Sequence, residues 1–305
     1  MVRAAQLASA LEVSGYPKPG NVHRTANLKG MTFEHFISSS IAIGPALFGA
    51  AERGFMAGEG KIDPSKIGVG RAIKRAIGDT MKWQTNGNTN LGTVLLLAPL
   101  TAAAGVALGK DGKLTMERLR KYLSIVLKST TPKDALDVYG TILMAKPGGL
   151  GHVAELDVRD QKSAERIKKE GISLYEIMGI SSERDNVAKE WVTDMQITFE
   201  FGYPLAKKLH TKSRDMNTTT VQLFLELLSR YPDTFIQRTH GKIVADKVSK
   251  KATMIVRMGG MLTAQGRKLV TKFDEELRKK VVNPGTTADL TASSLMLSIL
   301  SGMRP

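Results

Sequence analysis

No cysteine occurs among the 305 residues. That absence removes disulfide scaffolds, thiolate zinc sites, iron–sulfur ligation and cysteine nucleophiles together. Histidine is scarce too. The five, His23, His35, His152, His210 and His240, never stand at the HxxxH or HxxEH spacing of a helical zinc site, which speaks against a zinc hydrolase. Aromatic residues make up 6% of the chain, with two tryptophans, too few for the stacking platform on which single-stranded nucleic acid is bound. There is no Gly-x-Ser-x-Gly nucleophile turn, and no glycine-rich segment ends in the Gly-Lys-Ser/Thr of a P-loop. Strand signals are missing as well, since no stretch alternates β-branched and polar residues between hairpin turns. The first fifteen residues, MVRAAQLASALEVSG, lack an uninterrupted apolar run because Glu12 breaks it, so a cytoplasmic location is expected.

What the chain has is positive charge. Lys and Arg number 44 against 29 Asp and Glu, a formal charge of +15, which attracts polyanions such as nucleotides, coenzymes, nucleic acids or anionic lipid. A 42% apolar fraction is enough for a large core. One stretch, Leu91 to Gly109, carries no charge and approaches the ~20 residues of a membrane span. Pro99, Thr101, a run of alanines and Gly105 within it favour a helix buried in protein over one buried in lipid. Elsewhere helical periodicity prevails. Val221, Phe224, Leu225 and Leu228 fall at i, i+3, i+4 and i+7, and a longer helix is expected from about Val187 to Leu209, kinked or ended by Pro204. Thr131-Pro132 with Asp134, and Ser182 with Asp185, read as helix starts. The charge-rich pieces near 159–170 and 267–280 read as solvated helix faces. The expectation is an all-α fold, a single-domain orthogonal bundle over residues 1–305 with ten to twelve helices around a buried central one.

Four irregular loops lie beside the apolar helices. The first, SGYPKPGNVHR (14–24), sets Lys18, His23 and Arg24 around the backbone of Gly20 and Asn21. It reads equally as an anion site and as a rigid Pro-Lys-Pro-Gly turn with solvated basic residues. The second, WQTNGNTNLG (83–92), places Asn86, Asn88, Thr89, Asn90 and Gly92 before the most apolar helix, where asparagines either cap that helix or bond to ribose, phosphate or a metal-bound water. The third, KPGGLGHVAELD (146–157), offers Gly148 and Gly149 followed by Glu155 and Asp157. The fourth, VVNPGTTAD (281–289), holds Asn283, Gly285, Thr286 and Asp289. There Thr286-x-x-Asp289 reads either as a capping box or as a carboxylate for Mg²⁺, which favours oxygen ligands and accompanies nucleotide phosphates. Asp137 is a further acidic candidate.

In order, PKPGNVHR (17–24), NTNLG (88–92), PGGLG with Asp157, and NPGTTADL (283–290) resemble the triphosphoribosyl-dephospho-CoA synthase family. ERDNVAKEW (183–191) and YPDTFIQRTHG (231–241) resemble its archaeal-type branch. Bacterial members tend to have His-Lys where Asn90-Leu91 stand. The resemblance, spanning residues ~10 to ~300, implies an all-α transferase that joins ATP to 3′-dephospho-CoA at the 2′-hydroxyl and releases adenine, with Mg²⁺ as cofactor. The product is the precursor of a prosthetic group, so a downstream acyl-carrier protein system is an implied partner, with no membrane and no specific nucleic acid. Carried onto this chain, Lys18, His23 and Arg24 bind phosphates, while Gly20, Asn21, Asn88, Thr89, Asn90, Gly92, Gly148, Gly149, Asn283, Gly285 and Thr286 line the substrate. Asp289 and Asp157 are the catalytic carboxylates and, with Glu155, the metal ligands. The competing readings are a nucleotide-dependent ribosyl or phosphoribosyl transferase acting on another cofactor precursor, and a basic helical RNA-binding or scaffold protein.

Overall fold

A computed structural model describes residues 1–28, 30–85, 87–150, 153 and 155–305; Asn86 and His152 lie outside the described residues. Every regular element is a helix. In chain order they are α1 (Val2–Ser14), α2 (Phe33–Ala42), α3 (Gly44–Gly58), α4 (Val69–Trp83), α5 (Leu91–Asp111), α6 (Met116–Lys128), α7 (Pro132–Ala145), α8 (Gln161–Glu170), α9 (Leu174–Ser181) and α10 (Asn186–Val192). A π-helical segment (Ile197–Gly202) follows. Then come α11 (Tyr203–Ser213), α12 (Met216–Arg230), α13 (Thr234–His240), α14 (Lys242–Arg257), α15 (Ala264–Lys279) and α16 (Gly285–Leu300). The all-α expectation holds; short helices such as α10 and α13, seven residues each, raise the number above that expected from periodicity. The chain forms two compact units, residues 1–6 with 38–196, and residues 7–37 with 197–305.

The first unit is built on α5, buried almost throughout from Leu91 to Ala107. Its most apolar window is 89% buried, so this helix, long and apolar enough to cross a membrane, is the core of its unit. Small residues let α3 lie directly against it. A Cβ on Gly54 would stand 2.1 Å from the Ala102 carbonyl oxygen, and one on Gly105 2.2 Å from that of Ala51. Pro99 sits inside α5 and has no N–H to give Leu95 four residues earlier. The indole N–H of the fully buried Trp191 donates to that Leu95 oxygen at 3.0 Å, so the proline leaves no orphaned carbonyl in the core.

The long helix expected from Val187 to Leu209 is in fact broken. α10 stops at Val192, Asp194 and Met195 adopt left-handed backbone at φ 51° and 54°, and Pro204 enters the first turn of α11, where no N–H is needed. The start expected at Ser182 belongs to Asp185, whose Oδ1 accepts the N–H of Val187 at 2.8 Å. The Thr131–Asp134 capping box forms as expected.

In the second unit, Val221, Phe224, Leu225 and Leu228 of α12 are fully buried and share a core with Val270, Phe273 and Leu277 of α15. α16 is a second buried helix, disguised in the sequence by serine and threonine. Thr291, Ser294 and Ser298 return their hydroxyls to carbonyls four residues back, which lets them sit in an apolar core without an unmet bond.

Candidate active site

In the second unit, the loop after α1 is held by buried charge. Lys18 is completely buried; its ammonium donates to the Glu12 carbonyl at 2.8 Å and to the Glu12 carboxylate. Burial pushes the Lys18 ammonium down and the Glu12 carboxyl up, each drawn back by the other, and Asp289 and Asp274 add to the field that favours the cation. The phosphate contact expected of Lys18 is closed in this conformation. Its charge acts inside the protein.

Asp274 of α15 is the hub of the same loop. Its Oδ1 accepts the Gly20 N–H at 3.0 Å, and its Oδ2 accepts from His23 Nε2 and from Arg278 Nε, each at 3.1 Å. His23 Nδ1 faces Thr25 at 3.2 Å, so both ring nitrogens are engaged. Arg24 donates to the Ser14 carbonyl at 2.7 Å and to Asn217 Oδ1 at 2.6 Å. Gly20 has φ +72°, and a Cβ there would meet the Val282 carbonyl oxygen at 2.3 Å. Asn21 donates to Asn283 Oδ1 at 2.9 Å. The first and fourth loops, separated by some 260 positions in sequence, are therefore joined.

The fourth loop starts α16, and the capping box read there is overturned. Pro284 is the flanking residue and gives no side-chain cap; Thr286 is buried and its hydroxyl accepts from that of Thr234 at 3.1 Å. The cap comes instead from Asp233, 54 residues away in sequence, whose Oδ2 accepts the Thr287 N–H at 2.7 Å and the Thr287 hydroxyl at 2.8 Å. Its Oδ1 accepts the Ile236 N–H at 2.9 Å and so caps α13 as well. Burial pushes the Asp233 carboxyl up while these donors pull it back; two helix N-termini favour its anion further. Asp289 lies one turn on from Gly285, half-buried.

In the first unit, the second loop packs on α2. The Ser38 hydroxyl donates to the Trp83 carbonyl at 2.6 Å, and the Ser39 and Thr89 hydroxyls share a bond of 2.6 Å. Asn88 Oδ1 accepts the N–H groups of Leu91 at 2.9 Å and Asn90 at 3.3 Å, so Asn88 caps α5. Gly92 lies in the first turn of α5. Asn90 is buried with neither side-chain atom partnered among the described residues.

The third loop folds around Asp157. Asp157 Oδ1 accepts from the N–H and Nε of Arg159 at 2.9 and 3.1 Å, and Oδ2 from its guanidinium at 2.8 Å and the Val153 N–H at 3.2 Å. The Arg159 bonds hold the Asp157 carboxyl far below the usual carboxylate range. Tyr139 donates to the Leu156 carbonyl at 2.6 Å, and burial beside Asp157 pushes its phenol up to about 12. Gly148 and Gly149 form the turn that leads into this segment, Gly149 at φ +69°. Glu155 is exposed. Asp137 is paired with Lys74 at 2.9 Å.

No three His, Asp or Glu side chains converge to hold a metal ion among the described residues. A Mg²⁺ ion carried by a triphosphate needs only one or two protein carboxylates, and Asp289 fits that demand. Asp157 does not fit while Arg159 and two N–H groups occupy both its oxygens.

Asp233, Asp274 and Glu12 were not singled out in the sequence. Asp274 did carry a signal, as a charge on the stripe Val270, Phe273, Asp274, Leu277 that α15 buries. The bond from Asp233 to α16 carried none, because its partner is 54 residues distant.

Comparison with known proteins now bears on the chemistry. A protein from Streptococcus equi subsp. zooepidemicus (strain H70), named as a 2-(5″-triphosphoribosyl)-3′-dephosphocoenzyme-A synthase, is 28% identical over 98% of this chain and 95% of its own length. A synthase of that name from Klebsiella pneumoniae is 24% identical over 98% of this chain and 90% of its own. A crystal structure from Archaeoglobus fulgidus, described by the triphosphoribosyl-dephospho-CoA synthase name, is similar with a TM-score of 0.65 and 27% identity, covering 88% of this chain and 100% of that one. The sequence model of the CitG family, ATP:dephospho-CoA triphosphoribosyl transferase, matches residues 1–304, and the chain belongs to that family of transferases.

Proposed function

We propose that this chain joins the triphosphoribosyl group of ATP to the 2′-hydroxyl of 3′-dephospho-CoA and releases adenine. Family membership supports the reaction. The observation that carries its assignment to residues is that Asp289 lies half-buried near the start of α16, within the field of the buried Lys18.

In this transfer the bond from ribose C1′ to adenine N9 breaks and one from C1′ to the acceptor 2′-oxygen forms. The hydroxyl proton must leave to a base, and adenine departs with the bonding electron pair and gains a proton. The sugar is positive in between, so a fixed carboxylate stabilises the transition state. We assign that carboxylate, and the acceptance of the hydroxyl proton, to Asp289. Lys18 and Glu12 set the charge around it, and Asp274 with His23 and Gly20 holds the loop that carries Lys18. Arg24, Asn21, Asn283, Gly285 and Thr286 shape the same region. Asp157 is assigned to holding the third loop. Asp289 would be the protein carboxylate to hold a Mg²⁺ ion carried by the triphosphate, and the ion would supply neutralisation of phosphate charge. The product feeds an acyl-carrier protein system in the cytoplasm.

The test mixes purified protein with ATP and Mg²⁺, with and without 3′-dephospho-CoA, and measures free adenine and product mass. Adenine released only with 3′-dephospho-CoA is the expected result. Release with a different acceptor alone would replace this substrate with another cofactor precursor. No release with any acceptor, together with salt-sensitive RNA binding, would return the chain to the RNA-binding or scaffold class.

A further inference from the structure

Asn90 stands at the start of α5 without the usual duty of that position. An asparagine there ordinarily accepts an N–H from the second or third residue of the helix. Asn90, at φ −149° and ψ 24°, makes no such bond; the N–H of Leu91, the first residue of the helix, goes to Asn88 Oδ1. The polar groups next to it are settled, Thr89 on Ser39 and Ser38 on the Trp83 carbonyl. The Asn90 carboxamide is 5% exposed, and among the described residues its oxygen and its nitrogen are both unpartnered. Leaving a buried donor and a buried acceptor unmade is costly. The amide also sits at the positive end of a 21-residue helix dipole.

We propose that Asn90 reads the adenine base of ATP, its Nδ2 donating to the ring nitrogen N7 and its Oδ1 accepting from the 6-amino group. The chemistry of the orphaned pair selects this ligand. A phosphate oxygen would satisfy Nδ2 alone and a metal ion Oδ1 alone, whereas an edge with a donor beside an acceptor satisfies both, and adenine presents that edge to a carboxamide. The inference rests on the reading of the chain as an ATP-consuming transferase and deepens it.

Calorimetric titration of the full-length protein with ATP, with 7-deaza-ATP, which lacks the N7 acceptor, and with purine-riboside triphosphate, which lacks the 6-amino group, tests this. No acceptor is present, so binding is read apart from turnover. Wild type is expected to bind each analogue about ten-fold more weakly than ATP. Asn90→Ala is expected to bind all three alike, at a weakened common affinity. Asn90→Asp keeps the acceptor and loses the donor, so it retains discrimination at the 6-amino group and loses it at N7. Equal binding of the three nucleotides by wild type, which requires no variant to fold, overturns the proposal, as does unchanged discrimination in Asn90→Ala. Absence of ATP binding overturns both readings. Discrimination without adenine release to 3′-dephospho-CoA defeats the transfer reaction and leaves the base contact standing; adenine release without discrimination does the reverse.

Discussion

α5 and α16 are both buried helices, yet they resolve their polar groups in opposite ways. α16 carries many hydroxyls and leaves none of them bare: Thr291, Ser294 and Ser298 bond within the helix, and Asp233 reaches across 54 residues of sequence to cap its start. α5 is almost purely apolar and handles its internal fault through Trp191, which supplies the donor that Pro99 cannot. Its start is different. Asn88 caps it and, among the described residues, Asn90 is left with an unmet amide in the core. Where a helix terminus is fully satisfied, its side chains serve the fold. Where a buried amide is unsatisfied beside a completed cap, the cost is borne for something outside the chain.

Stability measurements can break or sharpen this contrast, each read as a change in the midpoint of urea unfolding. The largest loss is expected for Asp233→Ala, which uncaps α13 and α16 together at about 1–2 kcal/mol per cap. A loss no greater than for a single cap would mean that α16 finds its donors' partners elsewhere. Trp191→Phe leaves the Leu95 carbonyl orphaned in the core and is expected to cost about 2 kcal/mol; an unchanged midpoint would show that this carbonyl needs no partner. Asn88→Ala removes one cap, about 1 kcal/mol, a loss that would vanish if Asn90 took over the bond. The smallest effect, with the opposite sign, is expected for Asn90→Leu. Replacing an unsatisfied buried amide by an apolar side chain of similar size should leave stability unchanged or raise it slightly, and a loss comparable to that of Asn88→Ala would mean the amide is structural after all.

Much of this was legible in sequence because it is local. The stripe Val221, Phe224, Leu225, Leu228, the Thr131–Asp134 box and the uncharged run from Leu91 each depend on residues within a few turns, and each is where it was expected. Order along the chain carried the family resemblance. What failed depends on distant partners. Thr286-x-x-Asp289 has the letters of a capping box, but the helix begins at Gly285, Asp233 supplies its cap and Thr286 bonds Thr234 instead. Lys18, His23 and Arg24 have the composition of a phosphate cradle, and the structure bonds their side chains to Glu12, Asp274, Ser14 and Asn217. The break after Val192 gave no glycine or proline signal, since Asp194 and Met195 take the left-handed backbone themselves. α16 hid its burial because hydropathy counts a hydroxyl as polar even when the helix's own carbonyl accepts it.

The assignment of the reacting carboxylate rests on Asp289 lying at the start of α16 within the field of the buried Lys18. Adenine release from ATP in the presence of 3′-dephospho-CoA, measured for wild type and Asp289→Asn side by side with far-ultraviolet circular dichroism, tests that most directly. The expected result is a fall in rate of about 10²-fold or more with helix content unchanged. A variant that releases adenine at nearly the wild-type rate would contradict it.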